Sequence, residues 1–184
     1  RHSNLSVHRL DVTRDEEIAA VAHELAGEPL DILLNNAGVY FEKFLDEDLG
    51  HIYYGQWEAT FRVNSLGPMR VSTALTEQVA RSERRLIVAI TSHMGSIAEI
   101  GSPGSYAYRS SKAALNAAMK GLSLALQPRG IGVLLLHPGW VQTAIGGESA
   151  DIHPAKAVAG MRKAIAALST ADNGKFFNYD GTPL

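Results

Sequence analysis

Residues 105–112 read SYAYRSSK, and they run directly into AALNAAMKGLSLAL, an apolar-rich stretch ending at Leu126. The spacing predicts a helix over this region. It places Tyr108 four residues before Lys112, so at about 3.6 residues per turn the two side chains lie about 40° apart on one face. Tyr106 stands six residues from Lys112 and points elsewhere. A free tyrosine titrates near about 10 and is a poor base at neutral pH. A neighbouring ammonium favours the phenolate and should lower that value. A phenol so tuned can give a proton to a carbonyl oxygen or take one from an alcohol. Taken alone, the pair also reads as an exposed polar decoration, so its meaning depends on the elements around it.

Those elements alternate. LSVHRL (5–10) reads as a strand, and the segment from Thr13 to Gly27 reads as a helix that Thr13 caps and Gly27 stops. LDILLNNAG (30–38) is an apolar run closed by turn residues, suited to a strand buried on both faces. Residues 41–55 read as an irregular loop, and 56–80 as a helix. RRLIVAIT (84–91) is a second buried strand, followed by a Gly- and Ser-rich loop. After the helix of the opening stretch, which ends near Gly130, come a strand at 131–139, a helix at 154–168 and a short strand at 174–181. This order predicts one α/β domain over residues 1–184: a Rossmann-like open parallel sheet with helices on both faces.

Composition narrows the function. A net charge of −2 with interspersed signs argues against a nucleic-acid partner. The apolar runs are too short to span a membrane. With no cysteine, disulfides, thiolate catalysis and cysteine metal sites are excluded. No secretory leader is visible, and the expected location is cytoplasmic. A hydrolase would need an activated serine, yet there is no G-x-S-x-G elbow and no histidine in an obvious triad position. Neither H-E-x-x-H nor clustered carboxylates point to a metal. His93 and His137 border the expected cleft and read as ordinary polar neighbours.

In open parallel sheets, ligands gather beyond the carboxyl ends of the strands. There the sequence places Asp11-Val12-Thr13, Asn35-Asn36-Ala37-Gly38, Thr91-Ser92 and HPGWVQT (137–143), four small or polar clusters. Ser92 ends a buried strand, where its hydroxyl can bond the same oxygen that Tyr108 protonates; its ordinary role would be a cap or turn bond. Ser96 and Thr91 are weaker candidates. Asn64 sits inside a helical pattern four residues before Pro68, which has no N–H to offer the carbonyl of residue 64. The helix should kink there, and a water could take the freed carbonyl and relay a proton.

LDVT, NNAG, Val63-Asn64, Thr91-Ser92, YRSSK and HPGWVQT, in this order, resemble the short-chain dehydrogenase/reductase family over essentially the whole chain. SHMGSI, AYRSSKAALN and LHPGWVQT look most like its C-factor and sniffer-like carbonyl reductase branch. The resemblance implies a nicotinamide-dependent oxidoreductase acting on a small carbonyl or alcohol. Tyr108 would be the general acid/base, and Lys112 would bind the nicotinamide ribose and lower the pKa of the phenol. Ser92 would position the carbonyl, and Asn64 would hold the relay water. Asp11 and Val12 would contact the adenine, Asn36, Ala37 and Gly38 would pass the adenosine ribose, and Pro138, Gly139, Val141 and Thr143 would hold the nicotinamide end. The branch leans to NADP, with NAD as the alternative. Tyr40, Phe41, Trp140 and Ile145 suggest an apolar wall for the substrate.

The sequence departs from the family in one respect. The glycine-rich phosphate loop, Gly-x-x-x-Gly-x-Gly, is not found; the only G-x-G, at Gly130-Ile131-Gly132, leads into a strand and cannot offer helix N–H groups to a pyrophosphate. The chain opens at Arg1, and its first methionine is Met69. By the resemblance it begins just before the family's third strand, apparently lacking the first βαβ segment. The expectation is that upstream residues exist; otherwise LSVHRL slides over to pair with LDILLNN, or another copy covers the bare edge. A rival reading is a non-catalytic binding or signalling protein on the same fold. Helices 56–80 and 105–127 carry apolar residues on more than one face, and in the family such helices pair copies into a homodimer.

Overall fold

The computed structural model describes residues 4–44 and 49–184. Four strands form one wholly parallel sheet in the order β1 (Ile32–Asn35), β2 (Leu86–Ile90), β3 (Gly132–His137) and β4 (Phe176–Asn178). The register sets Ile32 beside Leu86 and Leu86 beside Gly132. The helices are α1 (Asp15–Glu24), α2 (Tyr54–Phe61), α3 (Gly67–Ala74), α4 (Thr76–Arg81), α5 (Tyr106–Leu126) and α6 (Pro154–Ala167). Residues 45–48 of the expected loop at 41–55 lie outside the described residues. Its start is a 3-10 turn, Phe41–Phe44, and α2 begins two residues earlier than its predicted start.

Side chains alternate across a strand, so the two faces of β2 and β3 receive different helices. Ile87, Ala89, Val133 and Leu135 pack with Leu115, Met119 and Leu122 of α5. Leu86, Val88, Leu134 and Leu136 pack with Ala164 of α6 and Phe177 of β4. Helices therefore cover both faces, as the apolar runs predict. On the α5 side, Ile18 of α1 meets Val71 and Leu75, with Leu33 of β1 beneath them.

Three local expectations fail, each for a physical reason. Residues 5–10 form no strand, and Val7 is 86% exposed. A strand exists only where a ladder partner accepts its N–H and C=O groups, and among the described residues none pairs with this segment. It does not slide over to β1 either. Its downstream end is tied to α3, where Arg70 donates to the Thr13 carbonyl at 3.1 Å and meets Asp15 at 3.3 Å. Second, β1 is not buried on both faces: Ile32 is 38% and Leu34 47% exposed, on the face that α6 covers for β2 and β3. Third, Thr13 does not cap α1. Its N–H and hydroxyl both donate to Asp11 Oδ1, and Arg14 holds the cap position without a side-chain bond. The helix ends at Glu24, and Gly27 turns the chain beyond it with φ 95°.

The disturbance expected at Pro68 is present in a particular form. Residues Arg62–Leu66 make one π-helical turn, in which the Gly67 N–H donates to the Arg62 carbonyl five residues back. The helix thus widens in the turn just before Pro68, where the N–H is missing. The turn runs straight into α3.

Candidate active site

Helix α5 carries Tyr108 and Lys112 beneath the carboxyl ends of β1, β2 and β3. Both are buried, Tyr108 8% and Lys112 4% exposed, which excludes the surface-decoration reading. The Lys112 Nζ stands 5.8 Å from the centroid of the Tyr108 ring and donates to the Ile90 carbonyl at 3.0 Å. Ser92, two residues beyond β2, accepts the Met94 N–H at 3.1 Å and lies beside the Tyr108 phenol, whose pKa it lowers. It is thus both the turn cap and the phenol's neighbour. Thr91 is removed from candidacy because its hydroxyl is given to Asn116 of α5 at 2.6 Å.

The electrostatics correct one expectation. The pKa of Tyr108 is raised, not lowered: burial dominates, the nearby Tyr40 phenol pushes the same way, and only the Ser92 hydrogen bond opposes them. Lys112 is not among the causes. Burial instead lowers the pKa of Lys112 itself to about 8, because a low-dielectric site disfavours the ammonium.

Asn64 is fully buried inside the π turn. Its Oδ1 accepts the Val39 N–H at 2.8 Å, and its Nδ2 donates to the Val39 carbonyl at 2.9 Å and to Ser111 Oγ at 3.0 Å. The side chain therefore clamps the segment after β1 to α5. Ser111 in turn donates to the Tyr108 carbonyl at 2.8 Å.

The structure distributes the other expected residues around this centre. Asn36 and Ala37 are exposed beyond β1, while Gly38 is half-buried. A Cβ on Gly38 would lie 3.5 Å from Asn64 Oδ1 and 3.6 Å from Lys112 Nζ. Asp11 is exposed, and Val12 packs on Gly67, where an added Cβ would come within 2.8 Å of it. Beyond β3, Pro138 leads to Gly139, whose φ of 84° favours glycine, with the end of the Ile152 side chain 2.4 Å from where a Cβ would stand. Val141 bridges to Ile152, and Thr143 Oγ1 receives the Gly146 N–H at 3.1 Å. Tyr40 stacks on Tyr108 with centroids 4.3 Å apart. Trp140 is half exposed and donates to the Gly146 carbonyl at 2.9 Å. His137, facing His93 at 5.5 Å, is driven down to about 4 by burial and by the charge of His93.

Three contributors escaped the sequence reading. Ser111, inside YRSSK, was given no role. Gly95 lies against the backbone of Lys112, with 2.8 Å between a built Cβ and the Lys112 carbonyl carbon. Glu42 accepts the backbone N–H groups of Ala107 and Tyr108, both at 3.0 Å. Only Gly95 left a signal, a glycine inside the turn that links Ser92 to the helix.

The sheet, its two helical layers and a site at the strand ends define a Rossmann-like α/β protein. Within that class the chain belongs to the short-chain dehydrogenase family, whose model matches residues 2–152. It is 42% identical over 165 residues to the C-signal of Myxococcus xanthus, covering 90% of this chain and 98% of that one. Among solved structures it resembles the carbonyl reductase Sniffer of D. melanogaster, with a TM-score of 0.93, 32% identity, and coverage of 100% of this chain and 79% of that one. It also resembles the NADPH-bound carbonyl reductase from chicken fatty liver, with a TM-score of 0.90, 30% identity, and coverage of 100% and 78%. No helix among the described residues is long and apolar enough to cross a membrane.

Proposed function

We propose that this protein is an NADP-dependent carbonyl reductase, moving a hydride between nicotinamide and a small carbonyl or alcohol. The observation that carries the reading is a buried phenol and a buried ammonium on one turn of α5, with Ser92 beside the phenol. The donor set fits the nicotinamide ribose. Lys112 gives one of its three N–H donors to Ile90, and among the described residues no other partner claims the rest. Gly38 leaves the approach to that ammonium free of a side chain. The solved relative from chicken fatty liver binds NADPH, which supports NADP over NAD.

In this mechanism the cofactor supplies the hydride. Ser92 donates to the substrate oxygen and orients it, and the raised pKa keeps Tyr108 protonated so that it can donate as acid. Lys112 would hold the ribose hydroxyls, and Asn64, four residues before Pro68, would hold the relay water. Asn36, Ala37 and Gly38 would line the adenosine ribose, Asp11 and Val12 the adenine, and Pro138, Gly139, Val141 and Thr143 the nicotinamide. Tyr108→Phe removes the proposed acid and should lower kcat by at least about 10²-fold while NADPH binding, followed by fluorescence, is retained. With para-nitrobenzaldehyde as probe, unchanged turnover in that variant refutes the reading.

A second reading, a signalling or binding role on the same fold, is favoured by the similarity to the C-signal over 98% of its length. A folded chain that binds neither NADPH nor NADH supports it. We further infer a homodimer formed through α2 and α5; α2 and the π turn after it form an open groove lined by Tyr54, Trp57, Glu58, Phe61, Arg62 and Leu66.

A further inference from the structure

Helix α5 begins without a cap of its own. Ser105, just before its first turn, has φ 56° and makes no side-chain bond to the helix; its hydroxyl is engaged by the Tyr40 phenol. The first N–H groups of a helix have no partner within it, and here they belong to the turn that carries Tyr108. Glu42, more than sixty residues upstream, supplies the acceptors. Its Oε2 takes the Ala107 N–H and its Oε1 the Tyr108 N–H. The carboxylate is only 7% exposed. Charge-assisted bonds of this kind are roughly twice as strong as neutral ones, and the positive end of the helix dipole reinforces them.

Glu42 does not act alone. Asn64 grips the backbone of Val39, Tyr40 stacks on the Tyr108 ring, and Lys43 reaches across to the Ile145 carbonyl. The segment from Val39 to Lys43 thus holds the reacting tyrosine from two sides, by its ring and by its amide.

We propose that Glu42 is a positioning residue for Tyr108: its carboxylate, spanning the Ala107 and Tyr108 amides, pins the first turn of α5 so that the phenol keeps its place against Tyr40 and beside Ser92. The proposal rests on the carbonyl reductase reading for its kinetic consequence but not for its structural one. Both oxygens face backbone donors, so Glu42 acts through Tyr108 and does not touch the reacting atoms. A misplacement of about 1 Å at such a group costs on the order of 10²-fold in rate.

The test uses the full chain, NADPH and para-nitrobenzaldehyde. Glu42→Ala should lower kcat by about 10- to 100-fold with KM for NADPH unchanged. Glu42→Gln keeps one acceptor oxygen and should recover part of the loss. In parallel, amide hydrogen exchange should show Ala107 and Tyr108 protected in the parent chain. Glu42→Ala should lose that protection, while Leu115 and Met119 further along α5 keep theirs. If the parent chain turns nothing over and Tyr108→Phe is no different, the carbonyl reductase reading fails, and exchange alone decides the role of Glu42. Unchanged kcat in an active enzyme, unchanged exchange at both amides, or a uniform loss of protection along α5 overturns the proposal. Should Glu42→Ala not fold, the same readings on Glu42→Gln decide it.

Discussion

Lys112 sits in conflict with its surroundings. Burial lowers its pKa from 10.5 to about 8. Below pH 8 the side chain is protonated whether the chain is folded or not, and the fold bears the full cost of burying the charge. Between about pH 8 and 10.5 the folded form gives up its proton while the unfolded form keeps it. The unfolded state then binds more protons, so this group makes the fold more stable as pH rises through that window. The whole change is worth roughly 3 kcal/mol. Lys112→Met should therefore unfold at higher urea than the parent at pH 7, lose activity, and lack the parent's gain on moving to pH 9.5. Urea midpoints at the two pH values check this, and an identical pH dependence in both chains would contradict it. A site that gains stability when its working residue is removed is the expected trade between function and folding.

At the scale of elements, the site depends on how the turn after β2 meets α5. Gly95 closes that turn against the backbone of Lys112, where an added Cβ would approach its Cβ and carbonyl oxygen at 3.0 Å. Helix backbone cannot move aside as a flexible side-chain end can. Gly95→Ala should thus lift the turn from the helix, draw Ser92 away from Tyr108 and cost about 1–3 kcal/mol. Urea unfolding would measure the loss of stability, and kcat should fall further than that loss explains. Full stability with full activity would show that the turn is more pliant than its packing suggests. Much of this arrangement was legible in the sequence. The apolar runs at 84–91 and 131–139 predicted strands that the sheet contains, whereas the burial on both faces expected of 30–38 failed at Ile32 and Leu34, and the i, i+4 spacing placed phenol and ammonium together. The proline after Asn64 predicted the disturbed helix but not its π form, because widening and kinking relieve the same missing N–H. LSVHRL alternates like a strand, but alternation describes a face and cannot supply a partner. Glu42 left no trace because it serves a helix more than sixty residues away, and no local pattern encodes such a cap. The direction of the Tyr108 shift was misread because the charge beside it was visible in the sequence and its burial was not.

The whole molecule presents two surfaces that water covers poorly. One is β1, whose Ile32 and Leu34 are exposed on the face that α6 leaves open. The other is the α2 groove, where Tyr54, Leu66 and their neighbours lie open beside α5. An exposed apolar patch of this kind marks a contact surface more often than an accident, and two copies meeting there would need about 800 Å² from each to form a stable pair. The groove is the better candidate, because helix faces repack against their own copy without satisfying a strand's backbone groups. Sedimentation of the parent chain should show a dimer at micromolar concentration. Tyr54→Asp, which puts a charge on an exposed groove residue and touches nothing in the site, should give a monomer. A monomeric parent would refute the pairing. A dimer that survives Tyr54→Asp would move the contact to β1, whose outer edge pairs with no other strand among the described residues and offers another strand a template.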